Sequence, residues 1–400
     1  MVPVESARRP LVRVPVPPGP DGPARLIPAL AEALDGSGPA IAPIPVVSAM
    51  TSQDYVASLM AAAHPDDPDR PLEDDRVAVV ACTSGSTGNP QGVLLTTLQL
   101  TAMSHVVNDG DPIWVVALPV TSIGGLNVLV RSLATTHDPI SVRSIGGASP
   151  FTADAFADAV AVAHAEHDDV RVSIVPAQLA RLLDDERGTE ALRMCTGVLV
   201  GAAATRPDLL DRAGEAGVRI TTTYGSTETA GGCVFNGVPL RGVTVRGSAE
   251  PERLVIDGPC VALGYRLQPE LTRERFTAAG FVTSDLGTVS DGRVDVLGRA
   301  DDVVIIKGVN VSTSAVEHVA AAVPGVRGAA VVPGAVTGSD DPWLGVFVEM
   351  SGEDTSDVSN AIADRLGAAA RPRWVRRVDS LPHLPNGKVD RQLLIQWSES

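Results

Sequence analysis

The chain has 400 residues, an apolar fraction of 44% and a formal net charge of −16, enough for two domains with sizeable cores. A field of that sign repels nucleic acid and anionic membrane surfaces, so any anionic ligand has to be held by local groups. Cys82, Cys195, Cys233 and Cys260 are scattered without CxxC spacing, which points to reduced thiols in a cytoplasmic protein; no apolar run reaches the roughly 18 residues of a membrane span, and Arg8-Arg9 precedes Pro-rich sequence instead of the apolar core of an export signal.

From about residue 76, β-branched runs at 77–83, 113–118, 171–175, 197–200 and 218–222 alternate with helical stretches, which predicts a largely parallel sheet covered by helices. Apolar residues at helical spacing in 177–183 and 208–213 mark crossover helices. Between about 240 and 298, short runs such as 254–259 and 293–297 are broken by Gly, Pro and Asp and predict a β-rich subdomain. Beyond Arg299-Ala-Asp-Asp302 the pattern changes to a helix near 314–323, strands near 329–333 and 344–349, and a helix near 357–366. The expected organisation is an α/β N-terminal domain over 1–300 and a small, mobile α+β C-terminal domain over 301–400. No repeat, heptad or low-complexity tract is present.

The segment Thr83-Ser-Gly-Ser-Thr-Gly-Asn-Pro-Gln-Gly92 follows one of these strand runs and precedes a helix-like stretch. Its glycines permit close backbone approach, and the amides and hydroxyls of Thr83, Ser84, Gly85, Ser86, Thr87 and Gly88 can cradle phosphate oxygens, although the segment is not a Walker A loop. The weaker alternative, taking the segment alone, is a Ser/Thr/Gly-rich surface turn. The HxxH at His164 and His167 is the nearest approach to zinc spacing, and on an Ala-rich helix it is expected to be a solvated pair.

Taken in order, Thr83–Gly92, Tyr224-Gly-Ser-Thr-Glu228, Thr283-Ser-Asp-Leu-Gly287, Gly298-Arg-Ala-Asp-Asp302 and Leu384-Pro-Asn-Gly-Lys388 resemble the signatures of the adenylate-forming superfamily of acyl-CoA ligases, luciferases and peptide-synthetase adenylation domains. The resemblance implies the adenylate-forming enzyme fold and the use of ATP, Mg²⁺ and coenzyme A. It implies that Tyr224, with Gly225, stacks on adenine, that Thr227 contacts phosphate and that Glu228 ligates the metal. Gly201, in Gly201-Ala-Ala-Ala204, would lie against adenine, Asp285 would take the ribose hydroxyls, and Arg299 would face ribose or phosphate. Asp301 would be the hinge of the C-terminal domain, and Lys388 the lysine that offsets charge at phosphorus during adenylation. Gln91 stands where the family usually carries a lysine.

Leu34-Asp-Gly-Ser-Gly-Pro39, the segment 175–183 and the segment 228–240 further resemble the short actinobacterial o-succinylbenzoate-CoA ligases of menaquinone synthesis, whose phosphate loop likewise comes early in the chain. That resemblance implies an aromatic carboxylate substrate. The small residues Ala230, Gly231 and Gly232 would let its planar ring approach the backbone. Arg131 would pair with a second substrate carboxylate or else be a solvated helix residue. Ser122 occupies a place where relatives carry a pocket-lining His, the segment 341–345 would face the thiol acceptor, and 307–310 would lie near the pantetheine tunnel. The alternatives are an enzyme adenylating another acid or loading a carrier protein, and a nucleotide- or acyl-binding protein without turnover; homo-oligomerisation is left open.

Overall fold

The computed structural model describes residues 8–83, 90–147, 149–247, 252–306, 309–335, 342–350, 352, 354–382 and 389–399. The chain divides into two compact units, Met1–Val245 with Val255–Val282, and Arg246–Leu254 with Thr283–Ser400. The division falls inside the strand Gly280–Ser290.

The first unit contains two sheets. In one, Leu11–Val16, Ala40–Pro45, Val77–Cys82, Gly92–Thr96 and Gly264–Tyr265 lie side by side in that order, the first three parallel and the rest antiparallel. In the other the order is Val238–Pro239, Gly231–Phe235, Ile220–Ser226, Gly197–Val200, Val170–Ile174, Ile113–Val116 and Ile140–Ser141. It is parallel from Ile140–Ser141 through Ile220–Ser226 and ends in an antiparallel hairpin. The run at 77–83 therefore does not join the other four predicted runs. It pairs with its own hairpin partner Gly92–Thr96, a local contact that costs less loop entropy than a crossover.

The residue types explain the second sheet. All four residues of Ile113–Val116 are buried, as a strand covered by helices on both faces requires. The predicted crossovers are the helices Pro176–Leu183 and Pro207–Glu215, each opening on a proline whose missing N–H costs nothing in the first turn. Gln178 locks the first of them: its side chain accepts from the Val175 N–H at 3.0 Å and donates to the Ala117 carbonyl at 3.0 Å.

In the second unit, the strand ending at Ser290 forms an antiparallel hairpin with Arg293–Arg299, and Val303–Ile306 forms another with Val309–Ser312. Val326–Ala335, Pro342–Met350 and Trp374–Val378 make a three-stranded sheet. The helices Thr313–Ala321 and Ser356–Leu366 add Val316, Val358 and Ile362 to a core shared with Val331 and Val346 of that sheet. With only 3% aromatic residues in the chain, the interior is built from small branched side chains, and the large rings need glycine beneath them. A Cβ on Gly334 would sit 2.2 Å from the Trp343 ring, and one on Gly345 would sit 2.1 Å from that of Trp374.

One buried cation rivets the first unit. Arg266 is 1% exposed and donates to the carbonyls of Ala63 at 3.2 Å and Pro71 at 2.8 Å, to that of Arg70, and to Glu73 Oε2 at 3.0 Å. Replacing it leaves the buried Ala63 carbonyl without a donor and releases the more exposed Arg70, Pro71 and Glu73 from the strand. Arg266→Met is expected to lower unfolding free energy by about 2–3 kcal/mol, read from denaturant midpoints; a loss under about 1 kcal/mol would show that the carbonyls find other donors.

Candidate active site

In a parallel sheet the strands finish at one edge, and ligands of open α/β sheets bind there. Ile113–Val116, Val170–Ile174 and Gly197–Val200 all end at that edge, while Ile220–Ser226 runs on past its neighbours. This edge gathers Ser122, Gly201, Tyr224, Gly225, Thr227 and Glu228, which lie in three separate segments of the sequence.

The signature Tyr224–Glu228 begins inside the strand Ile220–Ser226, instead of after a strand ending at 222, because Gly231–Phe235 pairs with it as far as Ser226. At the crossing the backbones nearly touch. A Cβ on Gly225 would lie 2.0 Å from the Gly231 carbonyl oxygen, and Gly231, at φ +102°, would place a Cβ 2.0 Å from Asn127 Nδ2. That amide donates to the Ala230 carbonyl at 2.6 Å. The space expected for an acyl ring beside Gly231 is thus filled by Asn127, and that beside Gly232 by Thr223 and Phe235, at 3.2 and 3.4 Å from a Cβ there. Gly201 likewise makes room for the Thr223 hydroxyl.

Thr229 closes the turn after the strand. It is fully buried, and its hydroxyl accepts from the Ser226 N–H at 2.9 Å and donates to the Gly231 carbonyl at 2.9 Å. Sequence reading missed this residue, although a hydroxyl three positions after Ser226 has capping spacing. Glu228 is then held twice: its carbonyl accepts from the Ala262 N–H at 2.8 Å, and its Oε1 accepts from the Tyr265 hydroxyl at 2.9 Å. Among the described residues no group of three or more His, Cys, Asp or Glu could hold a metal. A lone carboxylate does fit magnesium, which usually keeps water and substrate phosphates as its remaining ligands.

The neck of the Thr83–Gly92 segment departs from the expected strand-to-helix connection. The Thr83 N–H donates to the Gln91 carbonyl at 2.8 Å and the Gln91 N–H to Thr83 Oγ1 at 3.0 Å, so the neck joins two antiparallel strands; the helix Thr97–Thr101 begins only after the second. Ser84, Gly85, Ser86, Thr87 and Gly88 lie outside the described residues. Gln91 accepts from the Gln268 side chain, and the buried Arg266 beyond it is committed to backbone carbonyls. Burial pushes the Cys82 thiol at the loop's entry up to about 12, which leaves it protonated and unsuited to nucleophilic attack.

Ser122 caps the helix Ile123–Ser132, donating to the Pro119 carbonyl at 2.7 Å and accepting from the Gly125 N–H. Arg131 is at the other end of that helix, about 13 Å along its axis. It is neither solvated nor at the carboxyl edge: 5% exposed, it lies over the ring of Trp114, near the amino end of Ile113–Val116, at 5.3 Å. Burial pulls its guanidinium down to about 10. Nor are the two histidines a solvated pair. His167 packs against His137 with ring centroids 4.5 Å apart, and His164 Nδ1 is buried without a partner among the described residues.

In the second unit, Asp285 and Arg299 stand directly opposite each other on adjacent antiparallel strands, so their side chains share a face. The Thr283 hydroxyl accepts from the Asp285 N–H at 3.0 Å, fixing the backbone ahead of the carboxylate. Asp301 belongs to the turn Ala300–Asp302. Lys388 lies outside the described residues, but its flanks are tied: the Asp390 N–H donates to the Pro382 carbonyl at 2.8 Å, and Arg391 grips Glu317 at 2.6 and 2.9 Å. Burial would lower the Arg391 pKa, yet the Glu317 carboxylate holds it above its usual value.

Arg131→Met is expected to leave the KM values for acid and ATP within about twofold of wild type and the melting temperature unlowered, since it removes a desolvated charge while keeping volume over Trp114. A rise in acid KM of about tenfold or more would return Arg131 to the substrate site.

Comparison with known proteins agrees with this architecture. Residues 27–265 match the AMP-binding enzyme family and residues 315–388 the AMP-binding enzyme C-terminal domain. A probable 2-succinylbenzoate–CoA ligase of Mycobacterium tuberculosis is 35% identical over 93% of this chain and 95% of its own. Among solved structures, ATP-bound MatB of Rhodopseudomonas palustris superposes with a TM-score of 0.79 at 22% identity, over 99% of this chain and 90% of that one. The o-succinylbenzoate coenzyme A synthetase MenE of Bacillus subtilis, in complex with ATP and magnesium, gives 0.72 at 21%, over 97% and 90%. These two likenesses show the adenylate-forming fold. With the family match spanning more than half its length and a relative aligned almost end to end, the chain belongs to the AMP-binding enzyme family.

Proposed function

We propose that o-succinylbenzoate is the acid on which this AMP-forming acid–CoA ligase acts, with the thioester serving menaquinone biosynthesis. The observation that carries the reading is the alignment with the Mycobacterium tuberculosis ligase across 93% of this chain and 95% of that protein. In this reading the substrate carboxylate attacks the α-phosphate of ATP, pyrophosphate leaves, and the thiol of coenzyme A then attacks the acyl carbonyl and expels AMP.

Each residue has one task in this scheme. The loop from Thr83 holds phosphates through its amides and hydroxyls, without the charge a lysine at 91 would add. Tyr224 and Gly225 take the adenine, with Gly201 at the neighbouring strand end. Thr227 contacts phosphate, and Glu228 holds magnesium, which when bound neutralises phosphate charge and orients the α-phosphate. Asp285 and Arg299, side by side on their hairpin, hold the ribose. Lys388 offsets the charge that grows at phosphorus, and Asp301 is the pivot that exchanges the adenylating arrangement for the thiol-transfer one. The thiol comes from the acceptor, in keeping with the inert Cys82.

Protein incubated with Mg-ATP and o-succinylbenzoate, with and without coenzyme A, is expected to yield acyl-AMP and then a coenzyme A-dependent thioester by mass spectrometry, with Lys388→Ala blocking both. Acyl-AMP without thioester would favour a carrier-loading enzyme, and neither product would favour a different acid. Glu317→Gln, which halves the Arg391 clamp beside the Lys388 segment, is expected to slow pyrophosphate release about tenfold with little change in ATP KM; an unchanged rate would show the clamp to be dispensable.

A further inference from the structure

Tyr265 is built into the fold with unusual firmness for a residue outside the signature segments. It ends the short strand Gly264–Tyr265, opposite Val93. Thr272 grips its backbone from both sides: the Tyr265 N–H donates to Thr272 Oγ1 at 2.9 Å, and that hydroxyl donates to the Tyr265 carbonyl at 3.4 Å. Its ring is 7% exposed and meets Phe276 edge-on at 5.3 Å. The phenolic O–H is thereby delivered in a fixed direction, and it donates to Glu228 Oε1 at 2.9 Å.

The carboxylate at the far end of this bond has few other restraints. The Glu228 backbone is tied through Ala262, but its side chain has three rotatable bonds, and among the described residues only the Tyr265 hydroxyl fixes its carboxylate. Magnesium accepts only near-octahedral geometry, so a carboxylate that has to be ordered on binding gives up affinity that a pre-ordered one keeps. A donor on one oxygen also leaves the second oxygen available to the ion.

We propose that Tyr265 is a positioning residue for the metal: by holding Glu228 Oε1 it presets the other oxygen toward magnesium-nucleotide and sets the affinity for the ion. The proposal rests on the assignment of Glu228 as metal ligand. No bond is made or broken at Tyr265, which acts wholly through Glu228.

Full-length wild type, Tyr265→Phe, Glu228→Gln and Phe276→Leu would be titrated with Mn²⁺ in the presence of ATP, reading bound ion by electron paramagnetic resonance. Tyr265→Phe is expected to weaken Mn²⁺ binding about tenfold, as loss of an outer-sphere partner commonly does, with metal-free ATP binding unchanged. The Mg²⁺ concentration that half-saturates pyrophosphate release should rise by the same factor, with the wild-type rate recovered at saturation. Phe276→Leu loosens the ring but keeps the hydroxyl and is expected to stay within about twofold of wild type. If Tyr265→Phe binds Mn²⁺ like wild type while Glu228→Gln is weakened, or if Phe276→Leu falls as far as Tyr265→Phe, the positioning role is overturned. If Glu228→Gln also binds like wild type, the ligand assignment itself fails.

Discussion

The first unit turns on one close approach, where the strand Ile220–Ser226 and its antiparallel neighbour come so near that the Gly231 carbonyl leaves no room for a side chain at Gly225, while Asn127 leaves none at Gly231. Everything after it in the signature inherits its place from that crossing. The Asn127 amide enters the space left at Gly231 and fastens the hairpin to the helix Ile123–Ser132. Thr229 closes the turn, and Glu228 emerges from it toward Tyr265. A methyl group at Gly225 would push the strands apart, and one at Gly231 would displace the Asn127 amide that fastens the turn, although neither glycine has chemistry of its own.

Much of this was legible in the sequence because it is local. Four β-branched runs, two crossover helices and the C-terminal α+β pattern are set by periodicities of two and 3.6 residues, and the structure places them with boundary shifts of a few residues. What was not legible depends on partners distant in sequence. That 77–83 joins a different sheet follows from its hairpin with Gly92–Thr96. Gly231 looks like space for a ligand until Asn127 is seen to occupy it. Arg131 looks like a carboxylate partner or a wet helix residue until the helix is laid along Trp114. Asp285 and Arg299 read as two motifs, and only the hairpin register sets them face to face. Tyr265 gave no signal, since its meaning lies in the position of Glu228.

The chain's cations are largely spent on itself. Arg9 donates to the carbonyls of Ala33, Gly38 and Val77, Arg171 to that of Val107 and to Asp169, Arg266 to three carbonyls and Glu73, and Arg391 to Glu317 and Val331. In a chain of net charge −16 these guanidinium groups act as multi-point staples that satisfy backbone acceptors, a use for which their planar fork of donors is suited. At the loop neck, Gln91 is likewise paired to the neutral Gln268.

The distribution of indole rings has a practical corollary. The chain has four tryptophans: Trp114 lies buried beneath Arg131 in the first unit, while Trp343, Trp374 and Trp397 belong to the second, the first two 5.9 Å apart between ring centroids. Intrinsic fluorescence is therefore weighted toward the second unit without any label. Its wavelength carries two populations, a blue one from the enclosed Trp114 and a redder one from Trp397, which is 37% exposed, so the unfolding of each unit can be followed by colour in a single sample.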